Sequence, residues 1–476
     1  MGKEVVDVES PSEKSIDNAV DASPTLVGTT ERKLMVKIDM HILPVLCVLY
    51  LLAFLDRVNI SNAVIFGLRE DLKITTGTQY NTALTIFFIP YVLFEGLVQN
   101  YAGLLVTRFF LGLFETGMFP GCFYLMGMWY KRTEAQKRFS FFFSSTTLAG
   151  AFGGLLASGI GKMDGLQGYR GWRWIFILEG LFTCLVAFAW FFLIPDFPED
   201  AKWMNEEERS FMKAKLTKDV GDAGHHVSLT WRDIIDVLKD YKVFVGGMMY
   251  FGMIVSAYGY AYFAPTIIKT YGYNGTPPAL PTIQTQLYSI PPWAVAFVFA
   301  MCLAYISDRL QHRFLCAVIP IFMAIAGFAV LRNVHGIEKR NIQYGALFLI
   351  TMGAYSAMPV IVCWYAMNLS GHKRRSIGTG WQIGFGNIGG IIATYSFLAK
   401  DAPNYVRGHT ICLSFLVLAA AMCFVYLAII VSRNKARDKA AAASNAVAMD
   451  DDHLTPEQKR ERDLLGDLNP TYRYQL

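Results

Sequence analysis

The chain has 476 residues, 54% of them hydrophobic and only 17% charged, with a formal net charge of +5. Soluble domains carry closer to a quarter charged residues, so this composition argues against a soluble enzyme and, with a mean hydropathy of +0.33, for a membrane protein. The basic residues flank apolar segments instead of covering one folded face, which argues against nucleic-acid binding.

Residues 1–30 are polar and lack an apolar core, so they do not form a signal peptide; they are expected to be a disordered cytosolic tail. Apolar runs follow at 41–63, 79–95, 101–125, 139–161, 174–195, 242–264, 283–305, 314–331, 343–366, 377–398 and 409–431. Each is long enough to cross a bilayer core of about 30 Å. Backbone groups in lipid must be paired within their own segment, so the expected class is an all-α membrane protein. The runs divide into a first helix bundle (31–195), a charged cytosolic linker (196–241), a second bundle (242–431) and a polar cytosolic tail (432–476). Lys131, Arg132, Lys137 and Arg138, then Lys373, Arg374 and Arg375, then Arg433, Lys435, Arg437 and Lys439 mark cytosolic connections by the positive-inside rule.

The two bundles read as repeats of one another. Gly150-Ala-Phe-Gly-Gly154 corresponds to Gly386-Asn-Ile-Gly-Gly390, and each follows a basic loop preceded by Trp129-Tyr130 or Trp364-Tyr365. Two halves related by an axis along the membrane normal is a known transporter plan, and here the first half is about 37 residues shorter than the second over the matching interval. Topology points the same way. The amino-terminal flank (Arg32, Lys33, Lys37) and the 131–138 loop both carry cytosolic charge, yet three apolar runs separate them. The gap is expected near Glu95-Gly96. A lost exon is the leading explanation, and a short or re-entrant second segment is the other.

Ionisable residues inside apolar segments are costly and usually functional. In this chain they are concentrated in the first half, as Asp56, Arg57, Glu95, Arg108, Glu115 and Glu179. Arg108 and Glu115 are seven residues apart and so share one helix face. An arginine can grip a carboxylate in bidentate fashion. When that anion leaves, the arginine can pair with a neighbouring Asp or Glu, and when it returns that acid can take a proton. Arg57, Arg108 and Asn59 are therefore candidate substrate-binding residues, with Gln382 and Asn387 from the second half, and Asp56 and Glu115 are candidate proton-coupling residues. Static ion pairs between helices are the competing reading. Glu179, near Tyr169, Trp172 and Trp174 in an expected interface belt, reads as structural. Asp308, Arg309 and Arg313 form a charged turn that could latch helices. Asn274 fits an external glycosylation acceptor.

No cofactor or metal is expected, because the eight histidines form no metal-spaced cluster and no phosphate-binding loop is present. The eight cysteines all fall in apolar segments and read as small buried hydrophobes.

Leu55-Asp-Arg-Val-Asn59, Arg108-Phe-Phe-Leu-Gly-Leu-Phe-Glu-Thr-Gly-Met-Phe-Pro-Gly121, Gly171-Trp-Arg-Trp-Ile-Phe176, Pro195-Asp-Phe-Pro-Glu199 and Ser307-Asp-Arg-Leu310 together resemble the anion:cation symporter family of the major facilitator superfamily, especially fungal allantoate- and nicotinate-permease-like members. The resemblance implies a twelve-helix fold, of which about eleven are present and the third is missing. It also implies proton-coupled uptake of a small organic anion at the plasma membrane by a monomer, with Asp56, Arg57, Arg108 and Glu115 serving binding and coupling. The alternatives are an exporter of an acidic metabolite and a truncated, transport-inactive form.

Overall fold

A computed structural model describes residues 29–73, 98, 100–115, 117–193, 198, 201–220, 230–269, 281–310, 312–369, 372–443 and 472–475. The expected segment 79–95, the join at Glu95-Gly96 and Asn274 lie outside these residues.

Helix α1 spans Glu31–Ile65. It starts ten residues before its apolar run because Thr30 caps it, accepting from the Lys33 amide, and Glu31 favours the positive end of the helix dipole. Then come α2 (Tyr101–Glu115), α3 (Met118–Trp129), α4 (Arg132–Ile160) and α5 (Gly171–Phe191). The linker contains α6 (Glu206–Val220) and α7 (Trp231–Leu238), the latter opened by a Thr230–Asp233 capping box. The second bundle consists of α8 (Tyr241–Lys269), α9 (Thr282–Leu310), α10 (Arg313–Asn333), α11 (Arg340–Met367), α12 (His372–Asn387), α13 (Gly389–Ser396) and α14 (Val406–Ala443).

Among the described residues, eight helices are long and apolar enough to cross a membrane. Two further expected spans are each divided. The run at 101–125 holds α2 and α3, with residue 116 between them outside the described residues, and the run at 377–398 holds α12 and α13, whose junction at Ile388 keeps helical φ and ψ.

In the first bundle α1 packs on α3, α4 and α5, and in the second α8 packs on α11, α12, α13 and α14. The bundles meet where α4 lies along α9 and α11, α1 along α8, and α3 against α12. Small residues make the first of these approaches possible. A Cβ on Gly150 would strike the Trp293 ring, and one on Gly154 would sit 2.7 Å from Ser289 Oγ and 3.0 Å from the Gln286 carbonyl. Gly386, which matches Gly150, serves a different contact: it faces the Tyr250 ring within the second bundle. Gly389 matches Gly153, and each packs inside its own bundle, Gly389 with its Cβ position 2.8 Å from the Phe251 carbonyl and Gly153 with its Cβ position 3.2 Å from Leu55.

The linker fixes one end of the first bundle. Trp203 stacks on His41 of α1 at 4.3 Å and on Trp129 of α3 at 5.5 Å, so α1 begins and α3 ends on the same side. Lys37 pairs with Glu208 at 2.7 Å, Arg138 with Asp39 at 2.6 Å, and Lys215 with Glu31 and Glu134, each at 2.9 Å. At the opposite end Asp71, just past α1, accepts from Trp172 Nε1 at 3.1 Å and pairs with Arg173 at 3.3 Å and Arg170 at 3.8 Å. Arg170 and Arg173, which run against the positive-inside pattern, are thus matched by a local carboxylate. Trp172 is fully buried, so the interface belt expected around Glu179 does not include it.

Candidate functional site

About three quarters of the way along α1 the chain puts three polar residues within about one helical turn, and each turns to a different neighbour. Asp56 is 3% exposed and accepts from Thr183 Oγ1 of α5 at 3.4 Å. Arg57 turns toward the other bundle. Its Nη2 pairs with Glu115 of α2 at 3.2 Å, and its Nη1 donates to the Tyr258 hydroxyl of α8 at 2.5 Å. Asn59 donates through Nδ2 to Glu179 of α5, which is itself only 3% exposed.

Arg108 is fully buried on α2. Its Nη1 lies 3.5 Å from the carbonyl oxygen of Arg57, and its guanidinium lies 5.8 Å from the Phe176 ring centre. The structure therefore brings Arg57, Arg108 and Glu115 together around one turn of α1, with the closest ion pair running between helices, from Arg57 to Glu115. Glu179 is not at an exposed membrane edge; it is a buried acid held by Asn59.

Below this cluster the bundles enclose a narrow cavity of about 20 Å³, lined by Tyr50, Phe54, Thr146, Tyr250, Tyr258 and Tyr355 among others, which is room for about one water. Tyr258 stacks on Tyr262 at 5.5 Å, and Trp293 meets Tyr355 edge-on at 4.7 Å. Sequence reasoning missed these aromatics. The signal available was Tyr258-Gly-Tyr260-Ala-Tyr262, tyrosines at every second position near the end of the 242–264 run, where an interface belt is the ordinary reading. It also missed Gln286 of α9, which is buried and whose side-chain amide has no hydrogen-bond partner among the described residues. A buried unsatisfied amide costs about 1–3 kcal/mol, so it marks a place where a polar ligand or water would be welcome.

The other expected residues lie elsewhere. Gln382 is buried and donates to the Gly246 carbonyl at 3.2 Å, and Asn387 is half-buried at the end of α12. Arg313 pairs with Asp308 at 2.9 Å and donates to Ser307 Oγ at 2.8 Å, while Arg309 lies over the Tyr305 ring at 5.4 Å. Asp308 also faces Lys137 of α4 at 3.7 Å, so the turn touches both bundles. Among the described residues no group of His, Cys, Asp and Glu could hold a metal.

Residues 94–394 match the family profile described as Major Facilitator Superfamily. A Penicillium expansum protein named as the MFS-type transporter cnsO is 31% identical, over 83% of this chain and 82% of its own. The high-affinity nicotinic acid transporter of Saccharomyces cerevisiae is 28% identical, over 95% of this chain and 86% of its own. Among solved structures, a bacterial homologue of the human lysosomal transporter Spinster, inward-facing and occupied, superposes with a TM-score of 0.57 at 12% identity, over 83% of this chain and 97% of its own. The Escherichia coli fucose:proton symporter FucP superposes with a TM-score of 0.53 at 13% identity, over 81% of this chain and 98% of its own. At such identities the structural likeness is one of fold.

Proposed function

The chain belongs to the major facilitator superfamily of multi-pass membrane transporters, and on that premise we propose that it is a proton-coupled symporter of a small carboxylate at the plasma membrane, working as a monomer. The observation that carries the reading is the position of Arg57. One guanidinium, largely shielded from solvent, is shared between Glu115 of its own bundle and Tyr258 of the other.

The exchange works as follows. An incoming carboxylate competes with Glu115 for Arg57, because both are planar anions suited to the same fork. Once displaced, Glu115 is a buried acid that has lost its hydrogen-bonded counter-charge and keeps only the weaker influence of Arg108, and it takes a proton, since a poorly compensated charge in that setting is costly. Anion and proton then cross as a neutral pair, and re-pairing of Arg57 with Glu115 expels the proton after release. Arg108 adds a second positive charge beside the site, and Asp56, held by Thr183, is a second proton-carrying position. Because Tyr258 belongs to the second bundle, occupancy of Arg57 also alters a contact across the boundary that rocking must break.

The relative named as a nicotinic acid transporter supports nicotinate as the first carboxylate to try, with allantoate and related vitamin or ureide acids after it. Uptake of a labelled panel by proteoliposomes under an imposed pH gradient tests the reading. Saturable, acid-stimulated accumulation abolished by a protonophore supports it, and pH-independent flux contradicts it.

A second reading is a shortened form whose first bundle is one helix short and which does not transport. The alignment with the nicotinic acid transporter runs over 486 positions but uses 95% of this chain's 476 residues, about 452, leaving about 34 positions with no residue opposite. That deficit is close to one helix with its connection, about 20 residues plus a loop. Restoring a helix between Glu95 and Gly96 and finding activity only in the longer form would establish this reading.

A further inference from the structure

At the cytosolic end of the second bundle, residues 472–475 lie against three helices. Two asparagine side chains each read the backbone of one tail residue from both sides. Asn434 of α14 accepts from the Tyr474 amide and donates to the Tyr474 carbonyl, both at 3.0 Å. Asn368, just past α11, accepts from the Gln475 amide at 2.8 Å and donates to its carbonyl at 2.9 Å, and Trp364 Nε1 adds a bond to that carbonyl at 3.0 Å. The Tyr472 hydroxyl donates to the Met367 carbonyl at 2.8 Å, while Arg437 Nη1 donates to the Tyr472 carbonyl at 2.8 Å.

The side chain of Tyr474 occupies the middle of this seat and is 4% exposed. Lys242 of α8, itself fully buried, holds its ammonium 4.4 Å from the ring centre, and the Arg437 guanidinium lies 4.7 Å from it. Arg433 and Arg437 each reach its hydroxyl at 3.4 Å. A tyrosine between two cations gains from its ring face, more so when desolvated.

We propose that the cytosolic ends of α8, α11 and α14 form a peptide-binding site whose ligand is the Tyr472-Arg-Tyr-Gln475 segment of this same chain, recognised by its backbone amides and by one aromatic side chain. The seated segment ties the ends of α11 and α14 to each other and to Lys242 of α8, and so acts as a strap on the inner face of the second bundle. It abuts a residue of the cleft between the bundles, because Met367, whose carbonyl it engages, lines that cleft beside Gly127 and Arg375. This inference is independent of which cargo the protein carries.

Distance measurement between spin labels on Lys435→Cys and Gln475→Cys tests it, in protein reconstituted in lipid with Cys47, Cys184 and Cys302 replaced by Ala. Both labelled side chains are exposed, and only the backbone of Gln475 is used by the seat. A single narrow distance is expected in the parent and in Tyr474→Phe, which keeps the ring. Tyr474→Ala lies on the tail itself and leaves the bundle intact; it is expected to reduce the seated population by about tenfold or more, as is Asn368→Ala with Asn434→Ala. A broad distribution in the parent, or a narrow one that persists in Tyr474→Ala, would overturn the proposal.

Discussion

Arg57 of the first bundle and Tyr258 of the second meet at 2.5 Å, and the same guanidinium holds Glu115 at 3.2 Å. The contact joins the two bundles where the charge is shielded, so on the proposed reading one guanidinium serves both binding and the contact across the boundary.

Arg57→Lys keeps the positive charge and removes the planar fork. Loss of a charge-assisted hydrogen bond costs about 1.5–3 kcal/mol, which is roughly a ten- to hundredfold rise in the carboxylate concentration needed for half-maximal uptake. Tyr258→Phe removes only a hydroxyl partner and should cost a few-fold. Concentration dependence of initial rates checks both, and equal effects of the two changes would argue against Arg57 as the carboxylate grip.

Glu115→Gln removes the proposed exchangeable proton while keeping a hydrogen-bonding partner of similar size. Accumulation against a gradient should vanish and counterflow of preloaded carboxylate should remain. Asp56→Asn should behave in the same direction if its position carries a second proton, and unimpaired accumulation in both variants would remove proton coupling from this cluster.

Gly150→Val tests the bundle boundary. Even a Cβ at this position meets the Trp293 ring, which cannot swing aside as a flexible chain end could. The variant should hold α4 and α9 apart, seen as faster labelling of Ser289→Cys by a membrane-impermeant thiol reagent. Unchanged labelling would mean that the close approach is not part of the cycle.

The Asp240 cluster, just before α8, predicts where acid sensitivity does not lie. Asp240 pairs with Arg374 and Arg433, each at 2.8 Å. Burial alone would raise its carboxyl, but the Arg433 hydrogen bonds and charge, with help from Lys242, hold it below the ordinary carboxylate range. Because the folded state binds this proton less readily than the unfolded one, the stabilisation is fully present above the unfolded value near 3.8 and fades only as pH falls through the lower folded value. Between pH 5 and 8 the cluster stays ionised, so Asp240→Asn should lower the thermal midpoint by an amount that does not vary over that range. The cluster is half-buried and partly screened by solvent, so the loss should be on the order of 1 kcal/mol. A loss that grew or shrank between pH 5 and 8 would contradict the assignment.

Much of the fold was legible because lipid leaves few choices for a backbone, and the apolar runs for α1, α4, α5, α8–α11 and α14 need only length and composition. The division of the 377–398 run at Ile388 was not, since a glycine inside an apolar run marks a weak point without saying whether the helix is interrupted there. Within the site the charged residues were legible because a charge in hydrocarbon is conspicuous, but their partners were not. The seven-residue spacing of Arg108 and Glu115 gives a shared face on α2; it is silent about α1, whose Arg57 takes Glu115 while Arg108 turns to a carbonyl. Tyr258 was invisible for a related reason, since its role depends on a helix about 200 residues away in sequence. The proposed tail seat was hidden too, because nothing in the sequence joins Asn368, just past α11, and Asn434, inside α14, to the backbone of residues 474 and 475.

Proton uptake on binding tests the central claim most directly. Purified protein in weakly buffered solution near pH 6.5, with an indicator dye, is mixed with saturating nicotinate or another carboxylate that it transports. The exchange at Arg57 predicts uptake of about one proton per chain, lost in Glu115→Gln even where binding persists. Binding without proton uptake, or the same uptake in Glu115→Gln, would contradict it.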